Sequence, residues 1–139
     1  MKKYLFLLTV MLMTNSYSIC GIKEDSIKVV EIYKYVVSFR YYIEISDVDE
    51  MLKSKFGNCV AHADLFKRMC DSAGIKCISV IGWVKGEVDR HKWNHVTFDG
   101  DTWYPIDTTF DSEYNTMDFC MPTWSEFLKT HWYRKNGNL

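Results

Sequence analysis

Apolar residues recur along this chain with two different spacings, and the change from one to the other divides it. Between Ser26 and Tyr42, Val29, Val30, Tyr33, Val36 and Val37 fall on one helical face. The β-branched residues among them also suit a strand, but the spacing favours a helix. Ser46 followed by Asp49 resembles a capping box, and Val48, Met51 and Leu52 continue it as a short helix ending at Gly57. The next helix is the most sharply marked. Asn58 is placed to cap it, Val60, Ala63, Leu65, Phe66, Met69, Cys70 and Ala73 form its apolar stripe, and Gly74 stops it. From Lys76 the pattern becomes that of strands. "KCISVIGWVKG" reads as one strand, and "HKWNHVTFDGDTWYPIDTTF" as two more around the Asp99-Gly100 turn. "MPTWSEFLKTHWY" reads as a closing helix capped by Thr123. Helices first and consecutive strands afterwards make an α+β domain.

Composition narrows the partners. With 139 residues, 47% of them hydrophobic, the chain has the size of one domain, expected over residues 19–139. A net charge of -1 with both signs interspersed gives no footprint for nucleic acid or an anionic membrane surface. At the N-terminus, Lys2 and Lys3 precede an apolar run from Tyr4 to Met13, with Ser16 and Ser18 at small-residue positions. Residues 1–18 therefore read as a signal peptide, and the protein as secreted or periplasmic. The run is too short for a membrane span, which needs roughly 18 to 20 residues. Ile19 and Tyr17 fit a lipoprotein signal poorly, despite Cys20. In an oxidising compartment the five cysteines cannot all pair. If Cys59 is the free one, Cys20, Cys70, Cys77 and Cys120 allow about three connectivities, and the sequence does not choose among them.

Cys59 is the candidate for chemistry. A helix N-terminus carries about half a positive charge where a thiolate would sit. The Cys59 backbone N–H is also one of the unpaired donors of the first turn and is free to meet an oxyanion. Taken alone, a cysteine in an amphipathic helix is more often a packing residue. His91 and Asp107 change that balance. A three-residue loop of Phe98, Asp99 and Gly100 pairs Thr97 with Asp101 and sets His91 opposite Asp107, about 5 Å apart at Cβ. A two-residue loop puts them on opposite faces. Together the three side chains supply a nucleophile, a base that takes its proton, and a carboxylate that fixes the base's tautomer.

The blocks "GNCVAHADLFKRMCDSAGIKCISVIGW", "HKWN" and "WYPIDTTF" resemble the transglutaminase-like superfamily in its bacterial form. The likeness runs from about Lys55 to Phe110, with looser similarity in the helices upstream. It implies a papain-like core, with the nucleophile helix packed on an antiparallel sheet. It implies Cys59 as nucleophile, His91 as base and Asp107 as its orienter. It also implies acyl transfer at amides, whether hydrolysis, deamidation or cross-linking, without a cofactor. Many relatives place a Trp, and papain-like proteases a Gln, upstream to hold the oxyanion. This chain has no Gln and no Trp before Trp83, which leaves Tyr35, Tyr41 or Tyr42 for that role.

The other readings follow from spacing. Cys59 with His62 and His91 with His95 have metal-like intervals, but along a strand the two histidines stand about 13 Å apart, so no metal site is assigned. His62 reads as a surface or hydrogen-bonded residue. Asn94 is first a strand residue and second a substrate-facing amide. Trp93 and Trp103 are first core or groove walls and second, as flanks of the triad, contacts for an acyl substrate. The stretch from Asp111 to Asp118 reads as a solvated loop. The substrate expected is a protein, peptide or cell-wall amide, with the oligomeric state open. The alternative to an enzyme is a secreted module that binds such a ligand in the same groove.

Overall fold

A computed structural model describes residues 23–134, so the signal peptide assigned to residues 1–18, the boundary at residue 19 and Cys20 lie outside the described residues. Among the described residues are five helices and six strands. Helix α1 covers residues 23–37. Then come β1 (Arg40–Tyr41), α2 (Val48–Ser54), β2 (Phe56–Gly57), α3 (Cys59–Ser72), β3 (Lys76–Val84), β4 (His91–Thr97), β5 (Trp103–Ile106), α4 (Thr108–Tyr114), α5 (Trp124–Phe127) and β6 (His131–Trp132). No helix among the described residues is long and apolar enough to cross a membrane.

The main sheet is antiparallel in the order β5-β4-β3-β6, and β1 and β2 form a separate parallel pair. Helix α3 lies on β3 and β4. Alternation along β4 sorts the side chains. Lys92, Asn94 and Val96 point to α3, where Asn94 Nδ2 donates to the Ala63 carbonyl at 3.1 Å and Lys92 Nζ to Asp64 at 2.5 Å. His91, Trp93 and His95 point to the opposite face, which an aromatic cluster from the C-terminal third covers. Val29, Tyr33 and Val36 of α1, Met51 of α2 and Phe66 of α3 complete the core with no exposure. Full burial of each such side chain is worth about 1.5–3 kcal/mol.

The local signals differ in detail from the sequence expectation. Helix α2 is capped by Asp47 rather than Ser46, its carboxylate accepting from the Glu50 N–H at 2.9 Å. It ends at Ser54, with Lys55 left-handed at φ 71°, before Gly57. Gly57 meets a packing demand instead, because a Cβ there would lie 2.6 Å from Met51 Sδ. Asn58 does cap α3, through the N–H groups of Val60 and Ala61. The expected closing helix is only one turn, because the chain leaves it after Phe127 and lays His131 and Trp132 beside β3.

The Asp111–Asp118 stretch is a solvated loop only in part: residues 111–114 finish α4, and Glu113, Asn115, Met117 and Asp118 are exposed. Asp111 is fully buried at the end of α4's first turn, and its carboxylate accepts from Tyr33 Oη, Thr116 Oγ1 and the N–H groups of Asp118 (3.1 Å) and Phe119 (2.9 Å). Four donors from two segments, α1 and residues 116–119, satisfy this buried charge.

Gly82 faces His91 across β3 and β4. A Cβ there would lie 2.3 Å from the Trp132 carbonyl oxygen and 2.5 Å from the Trp93 ring. Backbone on one side and a buried indole on the other cannot both withdraw. Gly82→Ala is therefore expected to lower stability by about 1–3 kcal/mol, measured by urea denaturation, with β6 displaced from the sheet.

Candidate active site

Three elements bring Cys59, His91 and Asp107 together. Cys59 is the first residue of α3, held by the Asn58 cap. The Asn58 amide also donates to the Ile43 carbonyl at 2.9 Å, tying the start of the helix to the turn after β1. His91 opens β4, and its Nε2 lies 2.5 Å from Asp107 Oδ2. Because Nε2 is engaged by the carboxylate, Nδ1 is the nitrogen left for the thiol, and Cys59 and His91 line one cavity near enough for each to shift the other's pKa. Asp107 is buried at the end of β5 and caps α4, its Oδ1 accepting from Thr109 N–H at 2.9 Å and Phe110 N–H at 3.3 Å. One carboxylate oxygen thus fixes backbone, and the other faces histidine.

The register that achieves this is neither of the two expected. Thr97 pairs with Trp103, His95 with Pro105 and Asn94 with Ile106, so the loop runs over residues 98–102. Asp99 builds that wider loop. Its carboxylate accepts from the N–H groups of Asp101 (2.9 Å) and Thr102 (2.7 Å), which hold its pKa down at about 2. Shifting the pairing by an even number of residues keeps His91 and Asp107 on one face, as diagonal rather than direct neighbours.

The electrostatics follow from the contacts. Burial pushes the Cys59 thiol up, but the hydrogen bond and charge of His91, aided by the Lys92 backbone N–H, outweigh it and leave the thiol below its ordinary value. Burial also opposes charge on His91. The Asp107 charge and hydrogen bond, with Cys59 behind them, win and raise His91 to about 10. Asp107 is desolvated, yet His91 and His131 hold it well below the usual carboxylate range. Both shifts favour passage of a proton from sulfur to imidazole.

A cavity of about 410 Å³ opens over Cys59 and His91. Of the three tyrosines considered, Tyr41 lines it. Tyr35 is an exposed edge against Phe39, and Tyr42 donates to Glu44. Burial, then the charge at Cys59, keeps the Tyr41 phenol protonated by raising its pKa.

The remaining sequence candidates are placed elsewhere. Trp93 is 1% exposed and stacks on His91 at 6.0 Å, so it supports the imidazole from beneath. Asn94 is buried behind the sheet against α3. Trp103 pairs with Thr97 at the opposite end of β4 from His91 and lines a different cavity with Trp124 and Tyr133. His62 is not at the surface but fully buried, with both ring nitrogens unpaired, and burial lowers its pKa to about 4. His95 takes a hydrogen bond from Trp93 Nε1 at 3.0 Å. Cys70 and Cys77 are buried thiols, and burial and the Asp111 charge push Cys120 up to about 12.

His131 was not foreseen. Its Nε2 lies 3.0 Å from Asp107 Oδ2, the same oxygen that His91 uses. The three ligating atoms of His91, Asp107 and His131 are close enough to face one ion. Each is already engaged in a hydrogen bond, so the trio satisfies itself.

The family model of the transglutaminase-like superfamily matches residues 15–108, more than half of the sequence. The chain belongs to the transglutaminase-like superfamily. Among curated proteins, the kyphoscoliosis peptidases of Mus musculus and Homo sapiens are each 36% identical over 74 residues, covering 45% of this chain and 11% of theirs. The chain thus spans about a tenth of the length of those relatives. Among solved structures, a Cytophaga hutchinsonii protein assigned as a cysteine protease superposes with a TM-score of 0.52 at 16% identity, over 66% of this chain and 37% of that one. A TGase structure gives 0.50 at 18% identity, over 71% and 32%. Both likenesses carry the papain-like, transglutaminase-like fold of this superfamily member.

Proposed function

We propose that this superfamily member is an exported thiol acyl-transfer enzyme acting on protein, peptide or cell-wall amides through Cys59, His91 and Asp107. The observation that carries the reading is the convergence of three groups: a helix-terminal thiol and His91 line one cavity, and the far nitrogen of that imidazole is held by a buried carboxylate. The Cys59 thiolate adds to the amide carbonyl carbon. The oxyanion finds the Cys59 backbone N–H and the Tyr41 hydroxyl, in place of the missing Gln or Trp. His91 then gives its proton to the departing amine as the C–N bond breaks, leaving a thioester. In the second half, His91 takes a proton from the acceptor as it attacks, and the thiolate leaves. Water is the favoured acceptor, because the exposed Glu87, Asp89 and Glu113 open the cavity to solvent. The peptidase name of the curated relatives supports the same side. These carboxylates also suit a positively charged substrate near the scissile amide.

The test is to incubate the protein with pools of lysine-rich peptides and cell-wall glycopeptides, quench with acid, and map acyl adducts by mass spectrometry. An acyl group on Cys59, absent from Cys59→Ser, is expected. No adduct from any pool would leave a module that binds in the groove without turning its ligand over. Tyr41→Phe is expected to lower the acylation rate by about 10- to 100-fold with substrate binding little changed, as for loss of one oxyanion donor.

A further inference from the structure

We infer that His131 is a positioning residue, which clamps Asp107 through the same oxygen that holds His91. This rests on the reading of Cys59, His91 and Asp107 as the reacting set. Three observations support it. His131 is fully buried, with Nε2 3.0 Å from Asp107 Oδ2, while Asp107 itself is 1% exposed. Its other nitrogen, Nδ1, lies 2.8 Å from Thr130 Oγ1. A hydroxyl donating to Nδ1 puts the ring hydrogen on Nε2, aimed at the carboxylate. The ring itself is gripped. It stacks on Phe127 at 4.1 Å and 18°, and stands edge-on to Trp93 at 5.2 Å and Phe110 at 5.3 Å.

The consequence is geometric. Asp107 Oδ1 is fixed by the α4 N–H groups, but that leaves the carboxylate free to swing its second oxygen about the Cβ–Cγ bond. A second donor on Oδ2, beside His91, pins that rotation. The carboxylate then meets His91 Nε2 in one orientation, and the His91 ring keeps Nδ1 turned to Cys59. β6 exists as a two-residue strand whose register sets His131 opposite Val84, on the face that carries Gly82 and His91. The short C-terminal strand therefore completes the site from outside the span matched by the family model.

The test uses iodoacetamide on the full chain, with the rate of Cys59 alkylation at pH 6 read by mass spectrometry. His131→Phe keeps an aromatic ring in the slot and removes the donor. It is expected to slow Cys59 alkylation at least tenfold without change in far-UV circular dichroism. His131→Gln places an amide N–H near the position of Nε2 and is expected to stay within about threefold of the parent. If His131→Phe reacts like the parent, or if Phe and Gln are equally impaired, His131 only fills space and the inference is overturned. If neither variant folds, Thr130→Val replaces them. A fall in its alkylation rate supports the clamp, and an unchanged rate overturns it. An unmodified chain whose Cys59 reacts like an ordinary thiol overturns the nucleophile reading and this one together. A fast parent with an insensitive His131 overturns this one alone.

Discussion

Iodoacetamide at pH 6 is expected to label Cys59 before any other described thiol, at least about tenfold faster than an ordinary cysteine. An unperturbed thiol of pKa about 8.5 is less than about 1% ionised at that pH. In Cys59 the thiol is held below its ordinary value, and His91, raised to about 10, is the group placed to take its proton. Lowering a thiol's pKa also lowers its intrinsic nucleophilicity, with a Brønsted slope of about 0.4–0.5, so the gain is smaller than the rise in thiolate. The competitors are handicapped. Cys70 and Cys77 are buried, and Cys120 is pushed up to about 12. The profile should be flat across neutral pH, held by the ion pair, until His91 loses its proton near pH 10. His91→Ala should abolish the plateau and leave Cys59 with a single rise above about pH 8.5, because burial then acts without its main opponent. A parent protein already showing that single rise would mean that no ion pair forms and that Cys59 is a packing residue.

The same pair makes a statement about stability. His91 is raised above its unfolded value of about 6.5, so its contribution is complete below that pH and is lost as pH climbs through about 10. Urea midpoints measured from pH 6 to pH 10.5 should fall for the parent and be flatter for His91→Ala. A parallel fall in the two proteins would show that His91 gains nothing from its partners on folding.

What the sequence disclosed, and what it hid, follows from the range of each signal. The Asn58 cap and the first turn of α3 are local, and both are visible in four consecutive residues. That His91 and Asp107 share a face depends only on an even offset in pairing, so it survived an error in loop length. The loop itself was misread because the Asp99 side chain bonds two N–H groups beyond the glycine, a contact that an Asp-Gly dipeptide does not announce. Trp103 illustrates the cost of that error. The wider loop carries it to Thr97, at the far end of β4 from His91. His131 was hidden for a stronger reason. "FLKTHWY" has helical spacing, and only the open edge of β3 turns two of its residues into a strand. His62 shows the limit in the other direction, since nothing in its neighbours reveals which face of α3 the sheet covers.

Asp107→Asn is expected to reduce acyl transfer by about 10³–10⁴-fold while leaving the fold recognisable. The asparagine can still cap α4, because its amide oxygen can accept from Thr109 and Phe110 as Oδ1 does now. Its amide nitrogen then faces two imidazole nitrogens, on His91 and His131, that both donate today. Donor meets donor on both sides. Relief comes if His91 moves its hydrogen to Nδ1, the nitrogen turned to Cys59, and in that tautomer it can no longer accept the thiol proton. Cys59 alkylation at pH 6 should therefore fall with turnover, which separates this loss from one confined to substrate binding. Asp107→Ala removes the cap as well and leaves the histidines unpaired, at a cost of about 3–5 kcal/mol. The pH dependence has a definite sign. Asp107 is depressed below its unfolded value of about 3.9, so its stabilisation is present above that pH and is lost as pH falls through the folded value. The stability gap between the parent and Asp107→Asn should consequently narrow below about pH 4 in urea titrations. If Asp107→Asn keeps both the alkylation rate and a constant gap across that range, Asp107 is only a helix cap and the orientation of His91 has another source.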